Sequence, residues 1–210
     1  MSVSVTEANK MPANAPIAAG FADAVHDSQS VFNDVMHAMA RPGSIRAIKP
    51  DLSPPAVLTP CSAAVLLALA DYDTTVWLDA VTEADGDTLR WLRFHTGTKT
   101  AQDTEQAQFA IVTAPTTLPN LSHFAPGTPL YPDRSTTIIV QVPDLQPGSG
   151  WTLSGPGIAE TAQLAVPSLP NWFVDQWTAN RARFPLGVDL IFCAPDRLAC
   201  LPRTTAIEEG

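Results

Sequence analysis

FPLGVDLIFCAPDRLACLPRTT, residues 184–205, decides the fold of this 210-residue chain. Val188 to Cys193 is a β-branched and apolar run, and Leu198 to Leu201 is a second apolar run. The Pro195-Asp196 pair between them is turn chemistry, so the stretch reads as two strands joined by a tight hairpin. Pro202 has no N–H to give a ladder and stops the second strand. Arg203, Thr204 and Thr205 then form a polar tip. A hairpin this apolar has to insert into the main sheet of the domain, which makes part of that sheet antiparallel. Its tip is the first candidate for an anion or a partner.

Working outward, Pro170 to Arg181 reads as a helix with Trp172, Phe173 and Trp177 on or near one face. Aromatics at that spacing fit a core or an interface. Arg181 and Arg183 flank the route into the hairpin, where they suit acidic groups of a partner, a phosphate, or solvent at the helix end. Trp151 to Leu153 is a strand that runs into Ser154-Gly155-Pro156-Gly157-Ile158. Glycines after a strand let backbone N–H groups approach a phosphate, but the Gly-Lys-Ser/Thr ending of a phosphate-binding loop is missing. A tight turn is the plainer reading. Pro143 to Gly150 is a turn-rich link. Ser135 to Val142, with Ile138, Ile139 and Val140 in succession, has the continuous apolar character of a central strand. Phe109 to Val112 and Thr75 to Leu78 are further strands, and Ile45 to Ile48 is a short one.

The helices of the first half follow from spacing. Val31, Phe32, Val35, Met36 and Met39 share a face, with Asp27 or Ser28 as cap and Arg41-Pro42-Gly43 as stop. Ser62 opens an Ala/Leu-rich helix to Leu69 that is apolar nearly all round and therefore buried. Thr82-Glu83-Ala84-Asp85 starts a helix carrying Leu89 and Leu92. It gives way to Arg93-Phe94-His95-Thr96-Gly97. There Arg93 and His95 suit an anion, and His95 suits general base chemistry; a hydrogen-bonded loop histidine is the alternative. Asp71 and Asp73 read as a solvated turn. Residues 1–20, Ala- and Pro-rich without a period, read as a flexible N-terminal arm, and 21–210 as one domain. Alternating helices and strands, ending in a hairpin, predict an α/β fold: a three-layer α/β sandwich with a mixed sheet.

Composition excludes several classes. A net charge of -9 argues against unspecific nucleic-acid binding, which needs a basic footprint. Cys61, Cys193 and Cys200 are odd in number and lack a Cys-x-x-Cys pair, so neither a disulfide framework nor a metal site is expected. Buried thiols in a reducing cytoplasm are. No apolar run approaches the roughly 20 residues of a membrane span, and no signal peptide is expected.

Six separated segments, in order, resemble the PhnH family of carbon–phosphorus lyase subunits. They are VMHAMARPG ending at Gly43, LADYDTTVWL, RFHTG, the strand Ser135 to Val140, SGPGI, and FPLGVDLIF with LPRTT. Together they span about Phe21 to Thr205. The resemblance implies a cytoplasmic subunit of phosphonate catabolism. It would act with the G, I and J subunits to form α-D-ribose 1-methylphosphonate 5-triphosphate from ATP and a phosphonate. It implies homodimers in isolation. It also implies a fold similar to the large domain of pyridoxal-phosphate-dependent transferases, without the cofactor. A pyridoxal enzyme needs a Schiff-base lysine, and Lys10, Lys49 and Lys99 occupy no recognisable cofactor setting. Two readings follow. In one, the chain is a scaffold that docks other subunits, with Trp172, Trp177, Arg181 and Arg183 at the interface. In the other, it binds ATP or the phosphonate itself through Arg93, His95, Arg203, Thr204 and Thr205, which then have to converge on one pocket. A hydrolase or transferase built on Asp71, Asp73 and His95 lacks a recognisable nucleophile and base.

Overall fold

The terminal hairpin is the second and third place in a seven-stranded sheet. The computed structural model describes residues 16–208. The sheet contains β1 (Arg46–Ala47), β2 (Thr75–Leu78), β3 (Lys99–Thr100), β4 (Phe109–Val112), β5 (Thr137–Gln141), β8 (Asp189–Ala194) and β9 (Arg197–Leu201), in the order β1-β9-β8-β5-β4-β2-β3. Strands β3, β2, β4, β5 and β8 are parallel. β9 returns antiparallel to β8, and β1 antiparallel to β9. The mixed sheet expected from the hairpin is present. A second, antiparallel sheet is formed by β6 (Gln146–Ser154), β7 (Ala162–Ala165) and β10 (Ala206–Glu208), in the order β10-β6-β7.

Side-chain alternation builds two cores. Ile111, Ile139, Ile191 and Cys193 face one side. There they meet α1 (Ala24–Ala40), α2 (Pro60–Leu69) and, through Trp91 and Leu92, α4 (Asp87–Thr96). Ala110, Val112, Ile138, Val140, Leu190 and Phe192 face the other. That side is covered by Phe173 and Trp177 of α5 (Phe173–Arg181) and by Leu153 and Leu164 of the small sheet. The period of two along the central strands, with apolar residues at successive interior positions and polar ones only at the ends of β5 and β8, is what a sheet covered on both faces requires. Trp151 stacks on Phe173 at 5.3 Å and ties the small sheet to α5.

Local chemistry moves some boundaries. The cap of α1 is Asp23, whose carboxylate accepts from the N–H groups of Val25 and His26, and not Asp27 or Ser28. Only Val31, Val35 and Ala38 of this helix are fully buried, so its exposed first turn carries no apolar period to read. Thr59 caps α2 by accepting from the Ser62 N–H, with Pro60 in the first turn. One helix was expected from Thr82 through Leu92. Gly86, at φ 66°, instead divides it into α3 (Ala80–Asp85) and α4. The Pro143–Gly150 link is partly strand, because β6 begins at Gln146. The SGPGI turn packs on its own chain: a side chain at Gly157 would place Cβ 2.1 Å from the Ala40 carbonyl at the end of α1. Of the expected arm, residues 1–15 lie outside the described residues, while Ile17 and Ala18 pack against the first core.

Candidate functional site

Arg203 leaves the sheet one residue beyond Pro202, and the hairpin register decides what it meets. Leu190 pairs with Leu201, so Asp189 stands beside the start of the tip. The Asp189 Oδ1 accepts from the Arg203 backbone N–H at 2.7 Å and from Nε at 3.1 Å. Its Oδ2 accepts from Nη2, which also donates to the Ser135 hydroxyl. Nη1 donates to the carbonyls of Pro132 at 3.0 Å and Pro185 at 3.3 Å. A guanidinium has five N–H groups, and these contacts take all five. Only 12% of the Arg203 side chain and 19% of the Asp189 side chain is exposed. Arg203 is therefore a clamp. It joins the hairpin to the loop before β5 and to the loop after α5, with no donor left for an anion.

The other expected ligands lie elsewhere. Thr205 is fully buried. Its carbonyl accepts from the Trp177 indole at 2.9 Å, and its hydroxyl is without a partner. The Thr204 carbonyl accepts from Arg181 Nε at 3.4 Å. Arg93 donates to the Thr100 hydroxyl on β3 at 3.1 Å and lines a cleft of about 150 Å³ with Trp77, Glu83 and Gln102. His95 bonds the Ala18 carbonyl through Nε2 at 3.0 Å, with the rings of Trp91 and Phe94 about 5 Å away. A Cβ on Gly20 would lie 2.8 Å from its ring. It is a histidine that fastens residues 18–20 to α4. From β3 to β8 there are four strand steps, about 19 Å at the usual spacing. Arg93 and Arg203 thus belong to different places, and the five residues do not converge on one pocket.

Trp177, expected at an interface, is a core residue at 0% exposure because α5 turns its aromatic face onto the sheet. Trp172 packs partly buried against the same core. Arg181 and Arg183 are exposed.

At the opposite end of the parallel strands, sequence reasoning missed Asp79. The chain leaves β2 for β3 on one side and returns to β4 on the other, so the topological reversal falls between β2 and β4. Open α/β sheets take ligands in the crevice at such a point. Here Asp79, 4% exposed, fills it. Its Oδ1 accepts from the N–H and hydroxyl of Thr82, and its Oδ2 from the N–H and hydroxyl of Thr113, at 2.6–2.9 Å. Gln141 extends the closure from the end of β5. Its carbonyl oxygen accepts from the Thr59 N–H and the Ser62 hydroxyl, and its amide donates to Val57 and Thr113. The legible signal was an aspartate directly after a strand and three residues before a threonine, the pattern of a cap.

The three thiols are free and buried. Burial above all, then the neighbouring Cys61, pushes the Cys193 thiol well up; burial does the same to Cys200. Such thiols stay protonated and unreactive. Among the described residues no group of three His, Cys, Asp or Glu is placed to hold a metal ion, and no helix is long and apolar enough to cross a membrane.

The comparisons with known proteins agree with this fold-wide pattern of motifs. A relative from Rhizobium meliloti (strain 1021), named alpha-D-ribose 1-methylphosphonate 5-triphosphate synthase subunit PhnH, is 42% identical over 200 residues. The match covers 94% of this chain and 99% of the relative. A second, from Stutzerimonas stutzeri and named putative C-P lyase subunit protein HtxG, is 39% identical over 77 residues, 36% of this chain and 39% of the relative. The profile of the family described as bacterial phosphonate metabolism protein (PhnH) matches residues 19–208, and the chain belongs to that family.

Proposed function

We propose that this chain is the H subunit of a bacterial α-D-ribose 1-methylphosphonate 5-triphosphate synthase, within the carbon–phosphorus lyase system. In this reading it works by assembly with the G, I and J subunits and not as a self-sufficient catalyst. The observation that carries the reading is the match to the Rhizobium meliloti subunit over nearly the full length of both chains. The placement of the polar groups supports the assembly role. The Arg203 donors, the Asp79 carboxylate and the Gln141 amide are all engaged within the chain. A subunit of this kind is stabilised by such groups, and the chemistry falls to its partners. The cytoplasm, a homodimer in the absence of partners, and a fold akin to the large domain of pyridoxal-phosphate-dependent transferases without the cofactor are parts of the same proposal.

Two experiments test it. The chain is introduced into a bacterium lacking its own H subunit, and growth is measured with methylphosphonate as sole phosphorus source. The tagged chain is also co-expressed with the G, I and J subunits of its host and the purified mass is measured. Restored growth and a stoichiometric assembly are expected. Absence of both would remove the functional reading, although the family membership would stand.

A further inference from the structure

The clamp around Arg203 does more than close the end of the sheet. Its Nη1 holds the Pro132 and Pro185 carbonyls at once, and Gly187 donates its N–H to the Pro126 carbonyl at 2.9 Å. Two loops, 126–135 and 181–187, are thereby fixed side by side. Each carries large apolar side chains outward: Leu130 is 84% exposed, Tyr131 49% and Phe184 62%. Around them stand Arg134, Arg181 and Arg183, all exposed. Arg134 lies over the Tyr131 ring, 4.2 Å from its centre. Residues 127–134 and 181–187 hold three arginines against one aspartate, Asp133, on a chain of net charge -9.

We propose that this apolar, arginine-rimmed surface docks another protein subunit, through a patch on that subunit that is apolar at its centre and acidic at its rim. The proposal rests on the subunit reading above and gives it a place on the molecule. Three observations favour a protein over a small anion. The apolar residues sit on outward loops, whereas small ligands are held in concave sites. The hollow that Arg183 lines is only about 70 Å³. And the Arg203 clamp holds the loops without a ligand, so the surface is presented rigid, which lowers the ordering cost of docking. Arginine beside exposed aromatics is also the composition that dominates binding energy at protein interfaces. Charge decides the kind of partner. Three arginines on an otherwise acidic chain steer an acidic surface to this spot and repel it elsewhere. The exposed apolar residues of α1, Val25, Phe32 and Met36, have Asp23, Asp27 and Asp34 on the same helix or its cap, and nothing on the molecule indicates what covers them.

The test uses the full chain co-expressed with the G, I and J subunits. Leu130→Glu with Phe184→Ser removes the centre, and Arg181→Glu with Arg183→Glu reverses the rim. Val25→Glu on α1 serves as the control for loss of any exposed apolar group. Each variant is first shown to melt within about 3 °C of the parent, as expected for exposed positions. Recovery of the other subunits is expected to fall at least tenfold for both double variants and to stay within twofold for Val25→Glu. The parent assembly is also expected to weaken between 0.1 and 0.5 M NaCl more than that of the rim variant. Unchanged recovery for both double variants would overturn the docking surface while leaving the subunit reading intact. Dispersal of a homodimer with unchanged recovery would overturn it too, assigning the face to a second copy. Loss of ATP or methylphosphonate binding with unchanged recovery would assign it to an anion. If the parent chain itself recovers no partner and restores no growth, the reading beneath it fails first.

Discussion

The two ends of the parallel strands are both closed by polar side chains, but with different chemistry and different results. At the amino ends, one arginine meets one carboxylate and collects the carbonyls of two loops. At the carboxyl ends, a carboxylate and an amide collect N–H and hydroxyl groups of threonines and a serine. The first is an ion pair that projects structure outward, since the loops it fixes bear exposed Leu130 and Phe184. The second turns structure inward and occupies the crevice where other α/β sheets take ligands. Between β2 and β4 the carboxylate ties two loops together, whereas at the other end the tied loops carry their apolar side chains outward.

That comparison can be broken first at the ion pair. Asp189→Ala leaves the Arg203 guanidinium mostly buried beside no anion, which is expected to cost about 3–5 kcal/mol. Urea melts of the two chains would show it as a lower midpoint with the slope preserved, and a loss below 1 kcal/mol would reduce the clamp to a surface contact. At the other end, Asp79→Ala orphans the N–H groups of Thr82 and Thr113 and removes the cap of α3. About 2–3 kcal/mol is expected, together with fast amide exchange at Thr113; protection retained there would mean that another acceptor moves in.

The buried thiols of β8 and β9 provide a reference without an ion pair. Cys193 and Cys200 keep their protons in the folded state because they are buried, whereas in the unfolded chain they ionise near the ordinary value of 9.0. Proton release by the unfolded state alone means that stability is full below that pH and falls as pH rises above it. The fall is about 1.4 kcal/mol per pH unit for each thiol. Melts at pH 8.5 and 10 should show it, and Cys200→Ala should flatten the slope; an unaltered slope would assign the loss to other groups. The smallest effect is expected from Arg93→Ala. Its bond to Thr100 lies on the exposed edge, so the melting temperature should stay within about 2 °C of the parent. A larger drop would make the edge cleft a third structural network.

How much of this was legible varies with what the residues do. β2 and β4 fall where their apolar runs place them, because Val76 to Leu78 and Phe109 to Val112 all pack into one core or the other. β6 was half hidden. Gln146-Pro147-Gly148-Ser149-Gly150 reads as a turn, and its strand character comes from pairing with β7 across an irregular register. β10 was missed because a polar tip conceals that Ala206–Glu208 returns to pair with β6. The tip itself was misjudged for a related reason. An exposed-looking Arg-Thr-Thr suggests a ligand, yet the pairing of Ala194 with Arg197 at the turn fixes the whole hairpin register. Counting back along it brings Asp189 opposite Pro202 and next to Arg203. The information was present as arithmetic on the hairpin and absent as any local pattern. Asp79 was harder, since its partner Thr113 lies 34 positions away and only the sheet order makes them neighbours.

The position of β9 has a consequence for truncated chains. β8 is an inner strand of the sheet, but one of its two neighbours is β9, which follows it in the sequence. Without residues 197–201 the outer edge of β8 carries open N–H and C=O groups beside Leu190, Ile191 and Phe192. Such an edge is a template for pairing with other chains. A chain interrupted before Arg197 would therefore not be a shorter version of the domain but a sticky sheet with one side open. The same short segment both seals that edge and delivers the arginine that locks it.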